Sequence, residues 1–111
     1  MATVCMVFMT APDQDTAVRL TRTVVEDGLA ACGNLIEGVR SIYSWKGEVH
    51  DDAEVLVLFK TTLERVDSLR FRLIELHPYD CPEVLVVETD GGHADYLEWV
   101  AETVRKKIPK G

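Results

Sequence analysis

The sequence has few of the residues that would define a specialised class of protein. Its 111 residues include three cysteines, three histidines and four prolines, and only 7% are aromatic. Cys5, Cys32 and Cys81 are widely spaced and form no C-x-x-C pair, which fits neither a disulfide framework nor a zinc ribbon. We therefore expect three reduced thiols that pack like small hydrophobic side chains, with Cys81 differing from the others by lying in a predicted loop.

Positive charge and long apolar runs are also scarce. The chain has 12 basic and 19 acidic residues, a formal net charge of -7. This balance gives no broad positive potential to attract a phosphate backbone or anionic lipid, so we expect neither nucleic acid nor a membrane as partner. No apolar run approaches the roughly 20 residues of a membrane helix. The apolar segment 1–10 lacks the basic flank of a signal peptide, which predicts a cytoplasmic protein.

Several enzyme motifs are missing as well. The sequence has no P-loop, no G-x-S-x-G elbow and no dinucleotide fingerprint. The loop after the first predicted strand, Thr10-Ala11-Pro12-Asp13, has neither an arginine nor a glycine to cradle a phosphate. These absences predict a protein that is not an enzyme.

What is present is the pattern of one globular domain spanning residues 1–111, because 47% of the residues are hydrophobic and no linker divides them. Periodicity predicts the order β-α-β-β-α-β-α. The predicted strands cover residues 3–9, 31–45, 48–60 and 83–88. Four strands with two crossover helices favour an α+β fold, the ferredoxin-like split β-α-β sandwich, followed by a C-terminal helix.

Local signals predict where the helices begin and end. Asp13 can cap the first helix and Gly28 can end it. The capping-box pattern Thr61-Thr62-Leu63-Glu64 predicts the start of the second helix. The last amphipathic helix is expected to reach Ile108, with Lys106-Lys107 at its C-terminal end.

The two central predicted strands form a long hairpin around Lys46-Gly47. Gly33 and Gly38 interrupt the alternation of the first arm, which predicts a bulge. Near the tip, the acidic residues Glu48, Asp51, Asp52 and Glu54 are expected to be a solvated hairpin end; a loose site for hard cations is the alternative.

Some strands are apolar on both faces, as in Val55-Leu56-Val57-Leu58-Phe59. The two crossover helices of this fold cover only one face of the sheet, so another surface must cover the second face. Self-association through the sheet is the simplest solution.

Six short motifs follow one another along the chain. They are Thr10-Ala11-Pro12-Asp13, Leu29-Ala30-Ala31-Cys32-x-Asn34, Tyr43-x-Trp45-x-Gly47-Glu48, Lys60-Thr61-Thr62, His77-Pro78-Tyr79-x-x-Pro82-Glu83 and Tyr96-Leu97-x-Trp99. In this order they closely resemble the CutA family of divalent-cation tolerance proteins, over essentially the whole chain. The resemblance implies a homotrimer whose hairpins pair across subunits and whose sheets face the interior. It also implies an architecture similar to that of the PII signalling proteins, which bind small ligands in clefts between subunits.

The resemblance names His77 as the first candidate metal ligand, because a histidine at this point of the motif is associated with copper binding in the family. Cys81, Met9 or Glu83 would supply a second donor if the fold brings it near. Met9 stands where certain members carry a cysteine proposed as a copper ligand, and a thioether is a poorer ligand for Cu(II), so we expect weak binding. The alternative is that His77 caps the second helix and holds the proline loop.

The family motifs also contain Trp45, Lys60, Tyr79 and Glu83, and one hypothesis is that these residues line a cleft between subunits. In that hypothesis Lys60 anchors a small anionic or zwitterionic ligand. The alternatives are that the aromatic residues are interface anchors and that Lys60 pairs with a carboxylate such as Glu83.

The leading hypothesis is a non-catalytic cytoplasmic homotrimer that binds divalent metal, copper first, weakly, and contributes to metal tolerance. The alternative is a PII-like signalling or adaptor trimer that binds a small metabolite in the cleft between subunits. A third hypothesis is a structural trimer that binds a protein partner.

Overall fold

A computed structural model describes residues 2–105 of the chain. It contains the predicted order of strands and helices. Within this range no helix has the length and apolar character needed to cross a membrane. The predicted end of the last helix, Lys106-Lys107 and Ile108, lies outside the described residues. The elements are β1 (Val4–Ala11), α1 (Gln14–Glu26), β2 (Cys32–Trp45), β3 (Glu48–Thr62), α2 (Val66–Leu76), β4 (Val84–Glu88) and α3 (Ala94–Thr103).

The four strands form one sheet in the order β2-β3-β1-β4, and every neighbouring pair is antiparallel. The helices α1 and α2 each connect strands that are not neighbours in this order. This is the split β-α-β topology. The ferredoxin-like α+β fold predicted from the sequence is therefore confirmed.

The helix α1 begins and ends where its sequence signals predict. The backbone N–H of Thr16 donates to Asp13 Oδ1 at 2.8 Å, and hydrogen bonding from Thr16 lowers the pKa of Asp13. Gly28, just beyond the end of the helix, has a φ of +72°, a left-handed conformation that glycine adopts without strain.

The predicted capping box at Thr61 is wrong. The strand β3 continues to Thr62, and α2 begins only at Val66. The Thr61 hydroxyl instead donates to the carbonyl oxygen of Leu29 at 2.7 Å, which ties β3 to the segment between α1 and β2. Pairing in the sheet therefore keeps Thr61 in β3, although the local sequence pattern favours the start of a helix there.

The hairpin of β2 and β3 turns at Lys46-Gly47, whose φ values are 51° and 81°. Two consecutive positive φ values are typical of the tight turn that matches strand twist. The ladder shifts register between Ile36 and Val39, where Gly38 has a φ of +78°. The predicted bulge is therefore confirmed at Gly38.

The main core lies between the sheet and the helices α1 and α2. Its fully buried members include Val7, Met9, Leu20, Val57, Phe59, Leu69 and Leu73.

The opposite face of the sheet, which we call the open face, is covered by α3 only at one end. There Val100 and Val104 pack against Val4 and Ala31. Beyond that cluster the face is apolar, and its side chains range from half-buried to exposed. Its members include Met6, Phe8, Leu56, Leu58, Leu85 and Val87, with Leu85 59% and Val87 49% exposed.

Gly33 allows α1 to approach β2 closely, and it yields our first prediction. A Cβ added at Gly33 would lie 2.6 Å from Thr21 Cγ2 and 3.2 Å from the Phe59 ring. We expect Gly33→Ala to lower the free energy of unfolding by about 1–3 kcal/mol, because the surrounding core must shift. Urea unfolding monitored by circular dichroism measures this loss.

Gly92→Ala is the matched control, because its added Cβ would make only ordinary contact with Leu97, at 3.6 Å. We expect that variant to stay within about 0.5 kcal/mol of the parent. Equal stability of the two variants would contradict the close packing of α1 on β2.

Candidate functional site

A cleft of about 620 Å³ lies at the end of the open face. The end of β1, the outer half of the hairpin next to its turn and the loop between α2 and β4 surround it. Exposed aromatic rings and carboxylates share its wall, which gives it both an apolar and a charged character. Six of its lining residues are Tyr43, Trp45, Tyr79, Glu54, Asp80 and Glu83.

His77 fixes the loop that forms one wall of the cleft. Its Nε2 donates to the carbonyl oxygen of Thr10 at 2.8 Å, and its Nδ1 accepts from the backbone N–H of Tyr79 at 3.1 Å. The second bond requires an unprotonated Nδ1, so the proton of the neutral ring is on Nε2. Only 8% of His77 is exposed. Both ring nitrogens already form hydrogen bonds within the protein, so either could bind a metal only after losing that bond.

The loop places Tyr79 against Glu54 of β3. The Tyr79 hydroxyl donates to Glu54 Oε2 at 2.8 Å, and Glu54 is only 9% exposed. Burial of the phenol, together with the bond to this carboxylate, raises the pKa of Tyr79 well above its usual value. Tyr79 therefore stays protonated and acts as a hydrogen-bond donor at neutral pH.

Glu83 lines the same cleft from the position just before β4. Partial desolvation of its carboxyl and the nearby charge of Glu54 both raise the pKa of Glu83. The two carboxylates repel each other, so a cation between them would relieve an unfavourable interaction.

The one arginine that lines the cleft already has its own counterion. Arg40 donates to both oxygens of Asp51, at 2.8 and 2.6 Å. Tyr43 donates its hydroxyl to Asp52, and its ring stacks on His50 with centroids 5.2 Å apart. The charge that remains uncompensated in the cleft is negative.

The structure brings together three of the four residues predicted to line a ligand cleft, Trp45, Tyr79 and Glu83. Lys60 is not among the lining residues. It lies six residues beyond Glu54 on β3, about 20 Å at the rise of a strand, and donates to Asn34 Oδ1. Its hydrogen-bond partner is thus an amide and not the carboxylate of Glu83.

The predicted metal ligands do not lie together either. Cys81 is exposed and lines the cleft. Met9 is fully buried in the main core, whereas the next residue, Thr10, lines the cleft, because successive side chains of a strand point to opposite faces. The chain therefore does not bring Met9 to Cys81. Within residues 2–105, no three or more His, Cys, Asp or Glu side chains form a group that could hold a metal ion.

Glu54 is the functional residue that the sequence interpretation placed wrongly, as part of a solvated hairpin end. The burial of its side chain corrects that expectation. A signal was available, because Glu54 directly precedes the apolar run that begins at Val55, whereas Asp51 and Asp52 lie nearer the tip.

The Tyr79–Glu54 hydrogen bond can be tested by mutation. We expect Tyr79→Phe to lower the free energy of unfolding by about 1–3 kcal/mol, because the buried Glu54 carboxylate loses its donor. Tyr43→Phe is the matched control: its hydroxyl binds the exposed Asp52, and we expect a loss within about 0.5 kcal/mol. Thermal unfolding of both variants measures the two losses. Equal losses would mean that the buried Tyr79–Glu54 bond stabilises the protein no more than the exposed Tyr43–Asp52 bond does.

Comparison with known proteins places the chain in a family. Residues 5–103 match the family model described as CutA1 divalent ion tolerance protein. The divalent-cation tolerance protein CutA of Thermus thermophilus is 40% identical over 97 residues, which cover 87% of this chain and 94% of that protein. The human protein CutA is 41% identical over 95 residues, 86% of this chain but 53% of that protein, so the match spans about half of the human sequence.

The fold comparison agrees with the sequence comparison. The crystal structure of CutA1 from Oryza sativa superposes with a TM-score of 0.91 at 35% identity, covering 96% of this chain and 97% of that one. The resemblance inferred from the six motifs is thereby confirmed, and the chain belongs to the CutA1 divalent ion tolerance family.

Proposed function

We propose that this protein is a non-catalytic homotrimer that binds divalent cations weakly, copper first among them, and contributes to tolerance of these ions in the cytoplasm. The family and its Thermus thermophilus member are named for tolerance to divalent cations, and neither name describes catalysis. The observation that supports cation binding most directly is the cleft, which is lined by a free thiol and three carboxylates.

The cleft contains suitable metal-donor atoms, but they are not arranged as a complete coordination site. Cys81 is a soft donor that suits copper, and Asp80 and Glu83 beside it are hard oxygen donors. These side chains do not converge as a ready coordination sphere in residues 2–105, so binding must first rearrange the loop. That cost is the physical reason to expect modest affinity.

In this proposal His77 acts on the cation indirectly. Its bonds to Thr10 and Tyr79 hold the loop that carries Cys81, and both ring nitrogens are already used. Residues that orient a ligand through hydrogen bonds commonly affect metal affinity as well. We therefore assign Cys81 as the contact and His77 as a positioning residue.

The open face supports the homotrimer. Leu85 and Val87 remain about half exposed, as part of the apolar open face. Patches of this kind in soluble proteins commonly mark contacts with another subunit. The cleft adjoins this face, so a neighbouring subunit would lie close to its mouth.

One observation favours the second candidate function, a PII-like sensor or adaptor. A cleft of about 620 Å³ is within the size range of small-molecule sites, and three aromatic rings line it. In this reading the ligand is a small metabolite, and a protein partner would respond to its binding.

Copper binding can be assigned to a residue by titration. Cu(II) and redox-inert Zn(II) are titrated into the reduced protein without oxygen, in a buffer that does not chelate them. We expect Cys81→Ser to weaken binding by about tenfold or more, because the thiol contact is lost. His77→Gln should weaken it less and should also lower the Tm, because the loop loses an anchor.

Met9→Leu is the control for this titration. Its side chain is buried in the core, so we expect unchanged metal affinity and a stability change below about 1.5 kcal/mol. Unchanged affinity in Cys81→Ser would place the metal elsewhere, and a loss in Met9→Leu would restore Met9 as a ligand.

The trimer is tested by placing a charge on the open face. We expect Leu85→Asp to dissociate the assembly, because an unpaired carboxylate would be buried at the interface. Phe71→Asp is the matched control, since Phe71 is 72% exposed on α2, away from the open face. Light scattering coupled to size exclusion gives the subunit number; a trimer that survives Leu85→Asp would contradict assembly through this face.

A further inference from the structure

We infer that the cleft is a binding site for a small organic cation, a molecule with an ammonium group held between aromatic rings and carboxylates. This inference rests on the second candidate function, the small-molecule cleft, and it names the class of ligand. It reverses the charge expected from the sequence, where Lys60 was the anchor for an anionic or zwitterionic ligand.

First, the charged side chains that line the cleft favour a cation over an anion. Glu54, Asp80 and Glu83 line it, whereas the guanidinium of Arg40 is neutralised by its two bonds to Asp51. Lys60 is held by Asn34 at the far end of β3. An anion in this cleft would meet three carboxylates. The Lys46 ammonium over the Trp45 ring adds one positive charge beside the cleft but is not among its lining residues, so the charge of the lining favours a cation.

The aromatic rings carry the second step. Tyr43, Trp45 and Tyr79 all line the cleft and are 42%, 42% and 36% exposed. The faces of tyrosine and tryptophan rings attract ammonium groups through the ring quadrupole, with tryptophan the strongest. The chain already shows this preference, because the Lys46 ammonium lies 5.7 Å from the centroid of Trp45.

The hydrogen bonds of the cleft carry the third step. Glu54 accepts from Tyr79 through Oε2, and its Oε1 has the capacity to accept from a ligand N–H or O–H, or to face a quaternary ammonium group by charge alone. The Tyr79 bond also fixes the direction of this carboxylate. The volume of about 620 Å³ leaves room for a ligand body well beyond one ammonium group. A hydrated metal ion alone would leave the aromatic wall unused, which favours an organic cation.

The test titrates the assembled protein with choline and with 3,3-dimethylbutan-1-ol, its uncharged isostere. The Trp99→Phe variant is used, because Trp45 is then its one tryptophan and its fluorescence reports on the cleft. We expect a saturable change with choline and binding of the isostere weaker by about tenfold. Equal binding of the two, or no saturable change with either, would overturn the inference.

Two substitutions of equal charge change locate the site. In the Trp99→Phe background, Glu83→Gln should weaken choline binding by about fivefold or more. Glu64→Gln also removes one carboxylate, but from an exposed position outside the cleft, and should leave binding unchanged. Equal effects of both would mean that only the net charge of the protein matters, which contradicts a defined site.

A peptide carrying trimethyllysine separates the two sources of an ammonium group. Tighter binding of the peptide than of choline would assign the cleft to a protein segment and overturn the small-molecule assignment. The metal titration is repeated on the same preparation. If copper binds through Cys81 while choline does not, this inference fails and the cation-tolerance function stands; choline binding without metal binding gives the opposite result.

Discussion

The site depends on one imidazole that joins two distant parts of the chain. His77 follows α2, yet it donates to Thr10 at the end of β1 and accepts from Tyr79 in its own loop. These two bonds set the distance between loop and sheet, and only then does the Tyr79 hydroxyl meet Glu54. The cleft wall, the burial of Glu54 and the position of Cys81 all follow from that anchor.

Much of the fold was predictable because its signals are local. Asp13 caps α1, and Lys46-Gly47 forms the hairpin turn, since each depends only on residues a few positions away. Thr61 shows where local signals stop being sufficient. Its pattern favours a helix start, but pairing with β1 and a bond to Leu29 keep it in β3. Since β1 and Leu29 are both far from Thr61 in sequence, the local pattern cannot predict that Thr61 stays in the strand.

The candidate site was predictable in its residue types but only partly in its membership. Trp45, Tyr79 and Glu83 do meet, whereas Lys60 lies too far along β3. The division of Met9 from Thr10 follows from strand alternation, but which of the two faces the helices depends on how the whole sheet packs. The position of Glu54 next to the apolar run at Val55 gave a sequence signal, but its role depends on burial beneath a loop that approaches from another part of the chain.

The bulge in β2 decides which side chains the hairpin offers to the cleft. Ile36 lies opposite Leu56, but Val39 lies opposite Glu54, so the strand gains one residue in between. Side chains alternate along a strand, and one extra residue exchanges its two faces. Tyr43 and Trp45 are on the side of Glu54 for this reason. A homologue shortened by one residue at Gly38 would keep the same cross-strand partners in an unbroken ladder, so its aromatic rings would stay beside Glu54 and the hairpin would lose its local bend and not its cleft residues.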